Sequence, residues 1–359
     1  TKTIAASGVD PEITLLGASN EFVASPAGFC VETETSATCG APYHTCGGYK
    51  KAGEPFSLKI RAVTWPTNNA ASEVNTDFCT STHSITPNFQ LNNIELAHQL
   101  IGPLVADGGT LGDLGVGSVS FGPTDDGEIT VAQTVSETGA FNFTLTFAPN
   151  VYLGESLQDS TSEIIGRFYP AYFYVSGNSP MVRNGRDENA DPLVDSWSCN
   201  FTYQDQPFEY SIHPQITIDA RNTSNVTTKN YDGDYWKLDD LQDQRSYTDN
   251  APQGPTLIKD AAETPNITYD KGIGYDGKAF LNIEDERFIY QKTNFGPAAN
   301  DAPFDSAMTL VLHKDDLKDS DDVCFMVGAA GSCLPFTFSD IRGAKIRYGR
   351  AVMENAFGP

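Results

Sequence analysis

The sequence predicts an all-β protein built from tandem, immunoglobulin-like antiparallel β-sandwiches. Three observations support this fold class: a short pattern that occurs twice, about 150 residues apart, apolar residues that alternate with polar ones, and turns rich in glycine and proline, of which the chain has 31 and 21. Similarity repeated at the spacing of one domain indicates that one β-unit has been used twice in tandem.

The repeated pattern has the same three parts in both copies. The first copy reads Gly53-Glu54-Pro55-Phe56, a run ending Ile60-Arg61-Ala62-Val63, and then Thr86-Pro87-Asn88-Phe89. The second reads Asp205-Gln206-Pro207-Phe208, Ile218-Asp219-Ala220-Arg221 and Thr228-Lys229-Asn230-Tyr231. We therefore expect the two copies to occupy equivalent places in two domains, and the chain to be a module of a longer array.

Alternation of apolar and polar residues predicts the strands. Several runs place an apolar residue at every second position: Phe56, Leu58, Ile60 and Ala62; Phe141, Phe143, Leu145 and Phe147; and Met308, Leu310 and Leu312. This period of two is typical of a strand with one buried face. Turn-forming clusters at 123–127 and 230–233 lie between such runs. Hairpins and the corners of antiparallel sandwiches need such residues.

The domain boundary is predicted near Ser176-Gly177-Asn178-Ser179-Pro180. Residues 1–26 are assigned to the end of a preceding segment or an edge strand, 27–176 to the first sandwich, and 177–359 to the second, with a truncated C-terminus. In this division, residues 164–175 form the closing strand of the first sandwich. The polar stretch 238–277 is expected to form long loops on the second.

The charge balance limits the classes of partner. The chain has 47 acidic and 23 basic residues, a net charge of -24. Such a surface repels nucleic acid and anionic membranes, so neither is an expected partner. Solubility is the preferred explanation of the charge, and a face that collects cations is the alternative. The sequence contains no run approaching the ~20 apolar residues of a membrane span, so direct membrane insertion is not predicted.

The seven cysteines predict disulfides. They show no Cys-x-x-Cys pair with accompanying histidines, which argues against a zinc site. The glycine-containing segment between Cys324 and Cys333 favours a bridge between these two. Four cysteines allow three pairings, which leaves the connectivity open for Cys30, Cys39, Cys46 and Cys79. Cys199 is the expected odd residue, interpreted as a free buried thiol, with an interchain bond as the alternative.

One acidic cluster is a candidate metal site. Asp315, Asp316, Asp319, Asp321 and Asp322 are the densest group of carboxylates, and calcium takes six to eight oxygen ligands from such loops. The Asp-x-Asp-x-Asp-Gly pattern is incomplete, so a solvated acidic loop is the preferred interpretation and calcium the alternative. The segment 272–277 matches Gly-x-Gly-x-x-Gly, but a strand follows it instead of a helix, which favours a turn over a nucleotide site.

Catalysis is not predicted. The five histidines lack ligand spacing, and the sequence contains no Gly-x-Ser-x-Gly elbow. With 47 acids, pairs of carboxylates arise by chance, so a hydrolase remains only a third hypothesis. Trp65, Trp197 and Trp236 are candidates for stacking on sugars. Tryptophan in a sandwich core is the usual outcome, however, and no sugar-stacking residue is assigned.

Several segments occur in the order of a known family. They are Phe29-Cys30-Val31, 51–56, 86–89, Ile165-Gly166-Arg167-Phe168-Tyr169-Pro170, Phe201-Thr202-Tyr203, 230–233, Gly296-Pro297 with Phe304-Asp305, and 346–358. On these segments, from about residue 27 to 359, the chain resembles the domain of unknown function that forms the C-terminal part of MshQ-like proteins. Those proteins are encoded with mannose-sensitive haemagglutinin (MSHA) type IV pilus systems of Gram-negative bacteria.

The resemblance implies an exported protein at the cell surface or on a pilus, an adhesin or tip component, and brings no catalytic residues. Its implied partners are pilus or cell-surface components, and a glycan, host or abiotic surface. Family members often carry a lectin-like sandwich ahead of this region, and residues 1–26 are too few to contain one. Members often show Asp-x-Asp-Gly-Val where this chain has Asp319-Ser320-Asp321-Asp322-Val323, which weakens the case for a cation-binding turn.

The leading hypothesis is therefore a structural or adhesive module, stiffened by its cores and disulfides, that projects a binding part from the cell surface. A carbohydrate-binding module is the alternative, and it requires at least two coplanar exposed aromatic rings. A hydrolase would need a deep pocket with converging carboxylates or a Ser/His pair.

Overall fold

The structure is a computed structural model, and nearly all of its regular structure is β. It describes residues 2–4, 13–15, 23–66, 77–185, 200–239, 244–251, 255–261, 266–271, 274, 276–293 and 302–349. Within these ranges the chain forms strands, three short 3-10 turns at Tyr43–Thr45, Val105–Asp107 and Gly233–Tyr235, and no α-helix. The predicted all-β class is confirmed. Strands β1 (Lys2–Ile4) and β2 (Ile13–Leu15) form an antiparallel pair ahead of the sandwiches.

The first sandwich consists of two facing sheets. Its strands are β3 (Gly28–Thr33), β4 (Lys50–Lys51), β5 (Phe56–Val63), β6 (Leu91–Gly102), β7 (Ser118–Phe121), β8 (Glu128–Gln133), β9 (Gly139–Thr146), β10 (Ser160–Thr161) and β11 (Ile165–Tyr169). One sheet has the order β3-β5-β8, and the other has the order β4-β11-β9-β6-β7 with β10 beside β9. Pairing is antiparallel except between β4 and β11. This is an immunoglobulin-like arrangement.

The core of the first sandwich is rich in phenylalanine, and the alternating runs supply it. In β5, Phe56, Leu58 and Ile60 are buried while Ser57, Lys59 and Arg61 are half-buried, as the period of two predicts. Phe141 and Phe143 of β9 lie on the opposite sheet and are completely buried. The Phe143 ring meets that of Phe56 in the facing sheet, with centroids 5.6 Å apart, and the Phe141 ring meets that of Phe168 in its own sheet edge-on at 5.7 Å. Such edge-on and tilted ring pairs add to the free energy of burial.

The second sandwich follows without a spacer. Its strands are β12 (Tyr172–Gly177), β13 (Met181–Arg183), β14 (Thr202–Tyr203), β15 (Pro207–Ile212), β16 (Gln215–Arg221), β17 (Ser246–Asp249), β18 (Thr256–Lys259), β19 (Asn266–Asp270), β20 (Lys278–Glu284), β21 (Arg287–Gln291), β22 (Phe304–Asp305), β23 (Met308–Leu312), β24 (Phe336–Ile341) and β25 (Lys345–Arg347). Its described strands form four sheets, β12-β16-β20-β19, β13-β15-β21-β18, β17-β23-β24 and β14-β25-β22. Side chains from all four sheets meet in a second core.

The change from one sandwich to the next lies earlier than the sequence suggested. The stretch 164–175 was expected to be one closing strand, but it is divided between β11, which pairs with β9, and β12, which pairs with β16. Pro170 separates the two strands; it has no N–H to donate to a ladder and cannot continue one. Residues 172–177 therefore belong to the second sandwich.

The stretch 238–277 also differs from expectation. It was predicted to be mostly loop, yet it contains β17, β18 and β19. These strands lie at sheet edges, β17 against β23 and β19 against β20, and many of their side chains are half-exposed. An edge strand that buries few side chains has little apolar signal, and the sequence pattern therefore missed all three.

The repeated pattern corresponds to equivalent backbone structure, beginning with a turn. Gly53 and Asp205 both have left-handed backbone conformations, with φ of 82° and 67°. The N–H of Gly53 donates to the carbonyl of Val135, and that of Asp205 donates to the carbonyl of Tyr290. The strand before each turn is also equivalent, because β4 pairs in parallel with β11 as β14 does with β25.

The end of the repeated pattern is duplicated too. Thr86 donates from both its N–H and its hydroxyl to the carbonyl of Ala62, and Thr228 does the same to Ala220. The N–H of each of those alanines donates to a glycine, Gly127 or Gly277, with φ of 77° and 80°. A Cβ on either glycine would overlap the threonine carbonyl, so only glycine fits. The predicted duplication is confirmed, as is the turn in the described part of 272–277.

We expect the two threonines to stabilise their sandwiches to a similar degree. Thr86→Val or Thr228→Val removes one hydroxyl hydrogen bond while keeping the side-chain shape, so each should lower the free energy of unfolding by about 1 kcal/mol. Urea denaturation measures this, with the exposed Thr256→Val of β18 as the control. A loss at only one of the two sites would contradict the structural equivalence of the repeats.

Candidate functional site

The most elaborate polar site in the described structure is the contact between the two sandwiches, here called the junction. The first sandwich contributes Ala52, Thr110, 136–138 and Arg167, and the second contributes Asn222, Thr223, Lys229, Asn230 and Asp321. Apart from Arg167, which lies in β11, these residues lie in loops at facing ends of the two sandwiches, next to the strand ends that the repeated pattern defines. Directional hydrogen bonds across such a contact set the orientation of one domain on the other.

Glu137 and Asn230 form the centre of the junction. Glu137 is 5% exposed, and its carboxylate accepts from the N–H groups of Lys229 and Asn230 at 2.9 and 3.2 Å. The Asn230 amide donates to the carbonyls of Thr110 and Thr138 at 2.7 and 2.9 Å, and its oxygen accepts from the N–H of Thr110 at 2.6 Å. Burial raises the pKa of Glu137, an effect that the backbone N–H donors oppose.

A buried ion pair forms a second contact. Arg167, at the end of the first sandwich, is 3% exposed and binds both carboxylate oxygens of Asp321 at 2.5 and 2.6 Å. Its Nε donates to the carbonyl of Cys46 at 3.0 Å. The disulfide between Cys39 and Cys46 closes the loop that carries this carbonyl. Removing one partner of a buried pair leaves an uncompensated charge, so both residues are needed together.

Close backbone approach completes the junction. Asn222 donates from its amide to the carbonyl of Ser136 at 3.0 Å, and the N–H of Thr223 donates to the carbonyl of Ala52 at 3.0 Å. A Cβ on Gly102 would overlap Tyr43 and the hydroxyl of Tyr235. Glycine at this position lets the end of β6 approach the second sandwich.

The loop that carries Asp321 is held by Asp319. One oxygen of Asp319 accepts from the N–H groups of Asp321 and Val323 at 2.9 and 2.8 Å, and the other accepts from the Tyr231 hydroxyl. Burial raises the pKa of Asp319 from 3.8 to about 6. Asp322 adopts φ of 65°, a left-handed conformation that favours glycine.

Two domain models of one family match the chain in sequence order. The second domain of DUF6701 matches residues 25–133, and the third domain of DUF6701 matches residues 137–340. The chain belongs to the DUF6701 family. In this DUF6701 chain the boundary between the two matches falls in the loop between β8 and β9, and Glu137 of the junction is the first residue of the third-domain match.

Comparison with solved structures found a similarity to invasin, a bacterial integrin-binding protein. The identity is 10% and the TM-score 0.24, over 87% of this DUF6701 chain and 39% of the invasin chain. The chain therefore spans well under half the length of that structure. A comparison with curated proteins found no match.

The structure joins six of the seven cysteines. The disulfides are Cys30–Cys79, Cys39–Cys46 and Cys324–Cys333. Two of them lie beside the junction: Cys39–Cys46 as above, and Cys324–Cys333, where the carbonyl of Cys324 accepts from the N–H of Phe173 at the start of the second sandwich. Cys199 lies outside the described residues. Of the three pairings open for the four N-terminal cysteines, the structure has the one that joins the two in the short loop.

The acidic cluster that suggested calcium is distributed among protein donors. Asp319 and Asp321 are bound as above, and Asp316 accepts from the N–H of Gln244. Asp315 lies 3.2 Å from the ring of His313, and Asp322 pairs with Lys318 at 2.6 Å. The carboxylates therefore point to different donors, whereas a calcium ion needs six to eight oxygens around one point. This geometry does not fit a calcium site.

In the described part of the DUF6701 chain, one group has the spacing of metal ligands: Cys30, Glu32 and Cys79. Both of its cysteines are in a disulfide, so their sulfurs are not thiolate ligands. A surface cavity of about 390 Å³ beside it is lined by Glu32 and Glu163. Glu32 pairs with Arg61 at 2.6 Å and Glu163 accepts from the Thr38 hydroxyl at 2.6 Å, so these carboxylates already have partners.

The three tryptophans that were candidates for sugar stacking differ in their surroundings. Trp236 is buried against Phe173, with ring centroids 6.0 Å apart, and donates to the Tyr269 hydroxyl at 2.7 Å. Trp65 is 49% exposed and meets Phe78 edge-on, with 65° between the rings. Trp197 lies outside the described residues. Among exposed rings, Tyr203 also meets its neighbour Phe201 edge-on, at 77°, so neither pair forms the flat platform that sugar stacking needs.

Sequence reasoning did not single out Glu137, Arg167 or the role of Asn230. Asn230 and Arg167 were inside segments recognised as repeated or family-like, which was a usable signal. Glu137 had none, because one glutamate among 47 acids is distinguished only by its burial.

Breaking the buried ion pair should destabilise the protein strongly. Arg167→Met leaves Asp321 without its partner, and we expect a loss of about 3 to 5 kcal/mol in the free energy of unfolding. Adding Asp321→Leu should recover part of it, because the unpaired carboxylate is then removed. Urea denaturation measures both variants. Lys318→Met, which breaks an exposed pair, is the control and should leave the midpoint unchanged. Equal midpoints for Arg167→Met and wild type would contradict the assignment.

Asp319 should make the protein more stable in mild acid. Its folded pKa of about 6 lies above the unfolded value, so the folded chain binds more protons in that window and loses stability as pH rises through it. Between about pH 7 and pH 5 the wild type should gain about 1 kcal/mol relative to Asp319→Asn, which has no proton to bind there. Parallel pH profiles of the two proteins would contradict this.

Calcium should not stabilise the DUF6701 chain. The carboxylates of the acidic cluster already accept from protein donors, so we expect the same melting temperature with millimolar calcium and with excess chelator. Differential scanning fluorimetry measures this. A melting temperature that rises with calcium concentration would reveal a site, since a ligand that binds only the folded state stabilises it.

Proposed function

We propose that this chain is an extracellular structural and adhesive module of an MshQ-like, pilus-associated or cell-surface protein, which presents a binding part and supports attachment. The observation that carries the proposal is the buried polar junction. Domains joined in one chain move relative to each other by default. Hydrogen bonds and ion pairs of fixed geometry across the interface oppose that motion. Here the interface contains the Arg167–Asp321 pair and the Glu137–Asn230 hydrogen bonds, whose geometry is satisfied in one orientation.

A spacer outside the cell lies in an oxidising environment, where disulfides persist. The three disulfides suit an oxidising compartment, because cytosolic thiols are kept reduced. The net charge of -24 suits a soluble surface that does not bind nucleic acid or anionic lipid. Within the described residues, helices long and apolar enough to cross a membrane are absent. The proposed partners are pilus or other cell-surface components, with a glycan, host or abiotic surface as the target of the whole protein.

The proposal is for a non-catalytic role. The Glu137 carboxylate at the centre of the junction accepts from backbone N–H groups, and the carboxylates beside the surface cavity have partners of their own. The carbohydrate-binding alternative would need coplanar exposed rings, and the exposed pairs described above meet edge-on. The structural role therefore has the stronger support.

Removing the central amide should loosen the junction. Asn230→Ala deletes three hydrogen bonds between the sandwiches, and we expect a broader distribution of distances between spin labels placed at the exposed positions Leu153 and Val327. Asn88→Ala changes the equivalent but exposed residue of the first repeat and is the matched control. Pulsed electron paramagnetic resonance measures the distances. Identical distributions for Asn230→Ala and the control would contradict a junction fixed by this amide.

Location tests the proposal directly. An epitope inserted at the exposed loop around Leu153 should be accessible to antibody on intact cells of the bacterium that carries the gene, along pili or on the outer surface. Deleting the gene should reduce attachment to surfaces. Labelling that appears only after permeabilisation would refute an extracellular role.

A further inference from the structure

One end of the first sandwich, around Val63 and Ile85, has the same backbone hydrogen-bonding pattern as the end of the second sandwich that contacts the first at the junction. Val63 bridges to Ile85 as Arg221 bridges to Thr227. The N–H of Thr64 donates to the carbonyl of Ser84 at 2.8 Å, and that of Asn222 donates to the carbonyl of Val226 at 2.9 Å. The Thr86 and Thr228 hydrogen bonds described above complete the equivalence.

In the second sandwich this end is covered. Asn230 is 3% exposed and Asn222 is 3% exposed, because both bond to the first sandwich. In the first sandwich the equivalent end is open: Asn88 is exposed, and the apolar residues Trp65 and Ile85 are 49% and 38% exposed. The outer pole is the name used here for the surface formed by Trp65, Ile85 and Asn88.

Trp65 is equivalent in position to Thr223, through which the second sandwich contacts the first. It follows Thr64 as Thr223 follows Asn222, and Thr223 touches Ala52 and Gly53 of the first sandwich. The ring of Trp65 rests against that of Phe78, with centroids 6.2 Å apart, and the adjacent Cys79 is tied to Cys30 of β3. A half-exposed tryptophan held in place this way is typical of the centre of a protein interface.

We propose that the outer pole is the docking surface for another β-sandwich of the same repeat, contributed by a region of the same protein that lies ahead of residue 25. The numbering of the DUF6701 domains places a domain before the second one, which begins at residue 25 here. The occupant presents to Asn88 what the first sandwich presents to Asn230: backbone carbonyl and N–H groups at strand ends, and a carboxylate placed like that of Glu137. Trp65 and Ile85 add an apolar contact to these hydrogen bonds.

This inference rests on the proposed role as one module in a series, but its test is separate. Hydroxyl-radical footprinting of the full-length protein, read by mass spectrometry, reports the accessibility of Trp65. We expect oxidation of Trp65 to be at least about fivefold slower than its exposure in this structure predicts, because an interface core excludes water. Leu153, which is 73% exposed and distant from the outer pole, is the internal reference and should react at its full rate.

Asn88→Arg supplies the variant arm. A long charged side chain at the centre of the docking surface should restore oxidation of Trp65, whereas Leu153→Arg should leave it protected. Buried Phe143 reports in the same experiment whether each variant is folded. Trp65 oxidised at its full rate in the wild type would overturn the proposal. Protection that appears only as protein concentration rises would also overturn it, because the occupant would then be a second copy of the chain. Neither result would affect the epitope-labelling test of the proposed extracellular location.

Discussion

A buried guanidinium, that of Arg167, is the constraint on which the arrangement of the chain depends. A charged group that is only 3% exposed needs hydrogen-bonding partners around it, and here both sandwiches supply them. The loop closed by Cys39–Cys46 supplies a carbonyl from the first sandwich, and the loop held by Asp319 supplies the Asp321 carboxylate from the second. The same requirement accounts for the absence of a flexible spacer between β11 and β12, since a mobile linker would let the pair separate.

The two sandwiches share a frame and differ in how its ends are used. The frame consists of the turn at Gly53 or Asp205 and the threonine–alanine–glycine bonding at the end of the repeated pattern. Backbone hydrogen bonds define it, so its side chains were free to diverge. Asn88 and Asn230 have equivalent positions, but one is exposed and the other is buried in the junction. A single duplicated motif thus provides a surface that receives a neighbouring domain, and its use depends on what lies beside it.

The acidic composition has two roles that the sequence does not separate. Among the described residues, most acids are exposed or half-exposed, and a few, including Glu137 and Asp319, are buried and accept from specific donors. The cluster at 315–322 attracted a metal-site interpretation because carboxylates are close together in sequence. In three dimensions they face Arg167, Tyr231, Lys318 and backbone N–H groups, and these donors take the place that a cation would occupy. Closeness in sequence shows that several carboxylates are available as ligands, but it does not determine the directions in which their side chains point.

The sequence alone determined the all-β class, the alternating core strands such as Phe56–Val63, and the duplication, because a period of two and a repeated turn are local properties of the chain. It did not reveal the edge strands within 238–277, whose half-exposed side chains carry little apolar signal. It also misplaced the boundary, because Pro170 interrupts a run that is apolar on both sides. Only the tertiary structure decided the pairing of the four N-terminal cysteines, the partners of the acidic cluster and the junction at Glu137, Arg167 and Asn230. Each of these depends on groups that are distant in sequence and meet only when the two sandwiches pack end to end.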